Sequence, residues 1–93
     1  MNINKLSKAR RKIDSIDAKI FNLIKKRTKI VKYMLSLKQH KNQIVDHKRI
    51  NVILKNIKKK SIKNKIDPKI TLKIWKAMIW SYVHYQRKNF KKK

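Results

Sequence analysis

The sequence predicts an all-α protein of three helices, one long and two shorter, in a single domain over residues 1–93. Three observations predict it. Apolar residues recur in steps of three and four along most of the chain, the period of one helix face. There is no Gly and one Pro, so the turn chemistry of a hairpin-rich β-fold is missing. The periodic stretches are interrupted only by short polar segments, and 93 residues leave room for one domain.

The first helix is expected over about residues 4–39. Leu6, Ala9, Ile13, Ile16, Ile20, Leu23/Ile24, Ile30/Val31 and Met34 keep the helical period without a break. His40 to Val45 is short and polar, a loop. Asp46 is then a good N-cap, and Ile50, Ile53, Leu54 and Ile57 carry a second helix over about residues 46–61. Lys63, Asn64 and Lys65 make a turn. Asp67-Pro68 is a strong start signal, with Asp as N-cap and Pro at the first helical position. Leu72, Trp75, Met78, Ile79, Tyr82, Val83 and Gln86 carry the third helix over about residues 68–88. The basic tail, 87–93, is expected to fray.

A first helix of that size is roughly 50 Å long, whereas a compact chain of this length is only about 30 Å across. The helix overhangs any core that one copy can build, and its apolar stripe needs cover over its whole length. A second copy supplies that cover through the same surface. The expected architecture is therefore an intertwined homodimeric helical bundle.

Composition removes whole classes of function. Without Gly there is no P-loop and no dinucleotide fingerprint. Without Cys there is no disulfide, zinc ribbon or thiol nucleophile. His40, His47 and His84 lack metal-ligand spacing, so neither a metal nor another cofactor is expected. Residues 1–19 lack the apolar core of a signal peptide, and no apolar run approaches a membrane span. A cytoplasmic protein without a membrane partner is the expectation. The net charge of +25 suggests nucleic acid. Most of the cations, however, are Lys spread along the chain. Lys, Ile and Asn, all with A/T-rich codons, make up about half the residues. The Lys read as a solvated surface, and no specific nucleic-acid partner is expected.

The informative residues are polar ones on apolar stripes. At 100° per residue, Ile20, Ile24, Arg27, Val31, Met34 and Lys38 fall within about 40° of one line. Arg10 lies at the edge of that face. In the third helix Trp75, Ile79, Tyr82 and Gln86 share a line, and Gln86 puts an amide where an apolar side chain belongs. Arg49 borders the apolar stripe of the second helix, one turn from Asp46. A buried cation without a partner is costly, and the chain holds only four Asp and no Glu to pair with its cations. The missing anion is then a ligand, and Arg suits a carboxylate through bidentate bonds. Each residue also has a plain structural reading. Arg27 could snorkel on its long stem, Lys38 could answer the dipole of a helix end, Gln86 could be a satisfied interfacial amide, and Asp46 is first a cap. Asp14 and Asp17 read as ion-pair partners of nearby cations.

The order and spacing of these residues resemble the all-helical class of chorismate mutases. The elements are Arg10-x-x-Ile13-Asp14-x-Ile16-Asp17, Leu23-Ile24-x-x-Arg27, Lys38, Val45-Asp46-x-x-Arg49, Ile66-Asp67 and Gln86. The resemblance runs from about residue 6 to residue 88. It implies an intertwined homodimer with two sites, each borrowing Arg10 from the other copy. Arg27 and Arg49 would hold the carboxylates of a small dicarboxylate substrate. Lys38 and Gln86 would reach the ether oxygen of the breaking C–O bond, and Asp46 the ring hydroxyl region.

Two positions depart from the mutase pattern. Ile50 stands where the mutases have Glu, and Tyr82 where they commonly have Ser. Both resemble a sister branch, the isochorismate-pyruvate lyases, whereas Asp46 leans to the mutases. Mutase activity in aromatic amino-acid biosynthesis is the leading expectation, and isochorismate-pyruvate lyase activity the alternative. A non-catalytic basic nucleic-acid-binding or scaffold protein is the second alternative.

Overall fold

The computed structural model describes residues 3–91. It contains helix α1 (Ile3–Leu37), a single 3-10 turn (Lys41–Gln43), helix α2 (His47–Lys63) and helix α3 (Pro68–Asn89), with no strand among the described residues. By contacts the chain divides into two units, Met1–Tyr33 and Met34–Lys93.

The first unit is helical throughout its described part, and its apolar stripe is exposed from Ile3 to Ile24, with Val31 buried near its end. Leu6, Ile13, Ile16 and Ile20 are each about half exposed, and no residue from Ile3 to Lys26 is buried. Full burial of such a side chain is worth about 1.5–3 kcal/mol, and with each about half exposed roughly half of that is unrealised here.

The second unit contains a helical hairpin, α2 against α3. Ile79 and Val83 of α3 are buried, with Ile53, Leu54 and Ile57 of α2 half-buried. A polar contact between Ser61 and Thr71 ties the two helices. Ser61, buried, donates from Oγ to the Ile57 carbonyl at 2.6 Å and lies 2.6 Å from Thr71 Oγ1. Thr71 Oγ1 also lies 3.4 Å from the Pro68 carbonyl, and either hydroxyl can supply the proton shared between Ser61 and Thr71.

Both predicted Asp caps form. Asp46 Oδ1 accepts from the Arg49 amide at 2.9 Å, and Asp67 Oδ1 accepts from the Lys69 amide at 2.9 Å with Pro68 beginning the helix. Each satisfies an amide that a helix start leaves without a partner.

Three helix ends and one loop differ from expectation. Helix α1 stops at Leu37 rather than about Gln39, because the amide of Gln39 donates to the Gln43 side chain instead of to the helix. The expected loop 40–45 contains the 3-10 turn. Helix α2 runs on to Lys63, and α3 continues to Asn89, so residues 87–89 of the expected tail are helical. Residues 92 and 93 of that tail lie outside the described residues.

The end of α2 explains its two extra residues. Ile66 N–H donates to the Ser61 carbonyl at 2.9 Å, and Lys65 N–H to the Ile62 carbonyl at 3.2 Å. These two bonds make a Schellman motif, which needs a left-handed residue just past the helix. Glycine usually fills that place. This chain has none, and Lys65 takes it at φ 57°. A left-handed conformation costs an ordinary residue about 1–2 kcal/mol. Lys65→Gly is therefore expected to raise stability by about 0.5–1 kcal/mol, after allowing for the extra unfolded-state freedom of Gly. Urea unfolding of both proteins checks this, and no gain would mean that the strain lies elsewhere.

Candidate functional site

Within the second unit, the bond between Lys38 and Gln86 joins distant parts of the sequence. Lys38 Nζ donates to Gln86 Oε1 at 2.7 Å, across 48 positions. Lys38 is half-buried and is the first residue past α1. Gln86 is buried, in the last turns of α3. Every other described lysine is exposed, so Lys38 is singled out by its environment.

The electrostatics of the pair follow from its burial. Desolvation pushes the Lys38 ammonium below the usual lysine pKa, and the Asp46 carboxylate opposes that shift. Asp46 therefore has two effects: it caps α2 through Oδ1 and it supports the charge on Lys38. An ammonium has only donors, so its bond to Gln86 fixes which amide atom faces it. Oε1 is used, and the two Nε2 hydrogens remain for another acceptor. Lys38 itself keeps donors beyond the one given to Gln86. Together they form a cluster of hydrogen-bond donors around one positive charge, with a neutral amide rather than a carboxylate beside it. Such a cluster suits an oxygen that carries, or is gaining, negative charge.

The other sequence candidates fall as follows. Tyr82 is half-buried on the same face of α3, one turn before Gln86. Ile50 is half-buried in the first turn of α2, where its amide donates to the Asp46 carbonyl at 2.9 Å. Arg49 is exposed, and its backbone amide is the one that Asp46 caps. Arg27 is half-buried and Arg10 exposed, both in the first unit.

One residue escaped the sequence reading. Gln43 Oε1 accepts from the amides of Gln39 at 2.8 Å and His40 at 2.9 Å. The signal was a Gln three residues after His40, the spacing of a capping box. A separate small cleft of about 160 Å3, lined by Ile57, Ser61, Thr71 and Trp75 among others, contains none of the candidate residues. Among the described residues no group of three His, Cys, Asp or Glu could hold a metal ion, and no helix is long and apolar enough to cross a membrane.

A titration tests the electrostatics. Lys38, followed through its side-chain carbon signals, is expected to lose its proton at a pH below the ordinary lysine value. Asp46→Asn should lower that midpoint further, because it removes the only cause that raises it. Asn caps a helix as well as Asp, so α2 should survive the change. A midpoint that does not move, or moves up, would mean that Asp46 does not act on Lys38.

The family model described as chorismate mutase type II matches residues 9–87. No curated protein and no solved structure matches the chain.

Proposed function

The chain belongs to the chorismate mutase type II family, and we propose that it catalyses the rearrangement of chorismate to prephenate, with Lys38 and Gln86 at the reacting oxygen. The observation that carries this reading is the bond from Lys38 Nζ to Gln86 Oε1. It draws together the two donors that the reaction needs, from opposite ends of the second unit.

The reaction is unimolecular. The ether C–O bond breaks as a C–C bond forms, electrons move around a ring, and no proton is transferred. A site for it needs neither nucleophile nor cofactor. It needs to hold a flexible dianion in its folded, reactive conformer and to stabilise the charge that grows on the ether oxygen. The Lys38 ammonium and the Gln86 Nε2 hydrogens supply the second requirement. Arg27 and Arg49 would supply the first by gripping carboxylates. Asp46 would meet the ring hydroxyl region.

Arg10 completes the site from a second copy in this reading. The uncovered stripe of α1 supports such a homodimer, since two copies would bury each other's Leu6, Ile13, Ile16 and Ile20. One domain over the whole chain, a cytoplasmic location and no specific nucleic-acid partner belong to the same reading.

A second reading rests on Ile50. Its half-buried apolar side chain cannot accept a hydrogen bond from the ring hydroxyl of chorismate, and an unpaired buried hydroxyl costs roughly 1–3 kcal/mol. With Tyr82, it favours isochorismate and cleavage to salicylate and pyruvate on the same site.

Incubating the pure protein with each substrate and identifying the products separates the two. Prephenate from chorismate is expected. Lys38→Ala should cut that turnover a hundredfold or more, about 3 kcal/mol at one preorganised donor, whereas exposed Lys59→Ala should leave it near the starting value. Equal losses would mean that overall charge, not a site, drives the reaction. Ile50→Glu should improve chorismate turnover and impair isochorismate turnover. A folded Ile50→Glu protein that is poorer on chorismate would remove Ile50 from the hydroxyl position.

A further inference from the structure

Lys38 lies outside any helix, where the ladder that normally fixes side-chain direction is gone. Its own amide still donates to the Leu35 carbonyl at 3.1 Å, the last tightened bond of α1. The next two amides, those of Gln39 and His40, are free of the helix and would otherwise need water. Both donate to one atom, Gln43 Oε1, at 2.8 and 2.9 Å.

The surrounding turn holds that acceptor in place. Gln43 N–H donates to the His40 carbonyl at 3.0 Å, and Ile44 N–H to the Lys41 carbonyl at 3.2 Å. Ile44 is only 5% exposed and pins the turn to the protein interior. Two residues later Asp46 is fixed by capping α2. The segment between Lys38 and Asp46 is thus closed at its start by Gln43, in the middle by Ile44 and at its end by the Asp46 cap. Its two ends carry the cation that meets Gln86 and the carboxylate that supports that cation.

We propose that Gln43 is a positioning residue of the site: its side-chain carbonyl locks the backbone that follows Lys38, and so pre-aims the ammonium at Gln86 and at the substrate oxygen. The catalytic half of this inference rests on the proposed mutase reading. The geometric half, from Gln43 to Lys38, does not. An amide at position 43 is useful for its acceptor oxygen alone, because two N–H groups converge on it. A carboxylate would serve the same purpose, and a side chain of equal length without oxygen would not.

That distinction sets the experiment. Gln43→Met keeps the length and loses the acceptor; Gln43→Glu keeps the acceptor. With chorismate, Gln43→Met is expected to lower kcat about tenfold, as a displaced catalytic group does, and to change KM by less than about twofold. Gln43→Glu should keep kcat within about twofold of the unsubstituted protein. Helicity should be equal in all three. Equal kcat in the Met variant, or equal losses in the Met and Glu variants, would overturn the proposal.

Two further readouts do not need turnover. In the unsubstituted protein the Gln39 and His40 amides should exchange slowly with solvent, and rapid exchange would overturn the proposal without any variant. The side-chain signals of Lys38 should move toward those of a solvated lysine in Gln43→Met and stay in place in Gln43→Glu. If the unsubstituted protein makes no prephenate but these signals behave as described, the reaction reading fails while Gln43 keeps its role toward Lys38. If prephenate is made and the Lys38 signals ignore position 43, the proposal fails while the reaction reading stands.

Discussion

A half-desolvated ammonium held by a neutral amide is the interaction on which the second unit turns. Lys38 reaches Gln86 at 2.7 Å, and that bond links the segment after α1 to the last turns of α3. Had the partner been a carboxylate, the charge would be cancelled and the donors spent on each other. The amide satisfies one donor and leaves the charge standing. The protein is well placed to keep it so, because its acids are scarce: four Asp among 93 residues. Asp46 and Asp67 are both committed to helix starts. Asp46 acts on Lys38 as a field, opposing desolvation without taking over from Gln86.

Much of the fold was legible because it rests on local chemistry. Asp67-Pro68 starts a helix wherever it precedes an apolar period, and Asp46 caps for the same reason. The helix ends were less legible. α1 stops two residues early because Gln43 takes an amide that the periodicity assigned to the helix. The left-handed position at Lys65 could not be read, since a chain without Gly carries no marker for it. Lys38 teaches a sharper lesson. Its place on the α1 stripe suggested a side chain directed by the helix, yet it lies past the helix end. Its environment is set by Gln86, 48 positions away, which no periodicity connects. Only the order of residues resembling a known family joined those two. Arg10 and Arg27 were legible as polar residues on an apolar face, but the single chain leaves that face open over much of its length.

The charge has a simpler account. Every described lysine except Lys38 is exposed, so most of the charge of the described residues sits on a solvated surface and costs the fold mainly self-repulsion. The same field raises the local concentration of small anions and speeds their arrival, an effect that salt weakens. For a dicarboxylate substrate the surface favours encounter, and the few half-buried groups decide what happens next.

The central claim is that a neutral partner keeps the Lys38 charge available to the reacting oxygen. Replacing Gln86 by Glu tests it most directly, with prephenate formation followed across pH. At neutral pH the new carboxylate would pair with Lys38 and face the ether oxygen with like charge, so the account predicts a hundredfold loss or more. Activity should return as the pH falls through the titration of that Glu, when its protonated form can again donate. A Gln86→Glu protein as active as the unsubstituted one at neutral pH, with no gain in acid, would contradict the account.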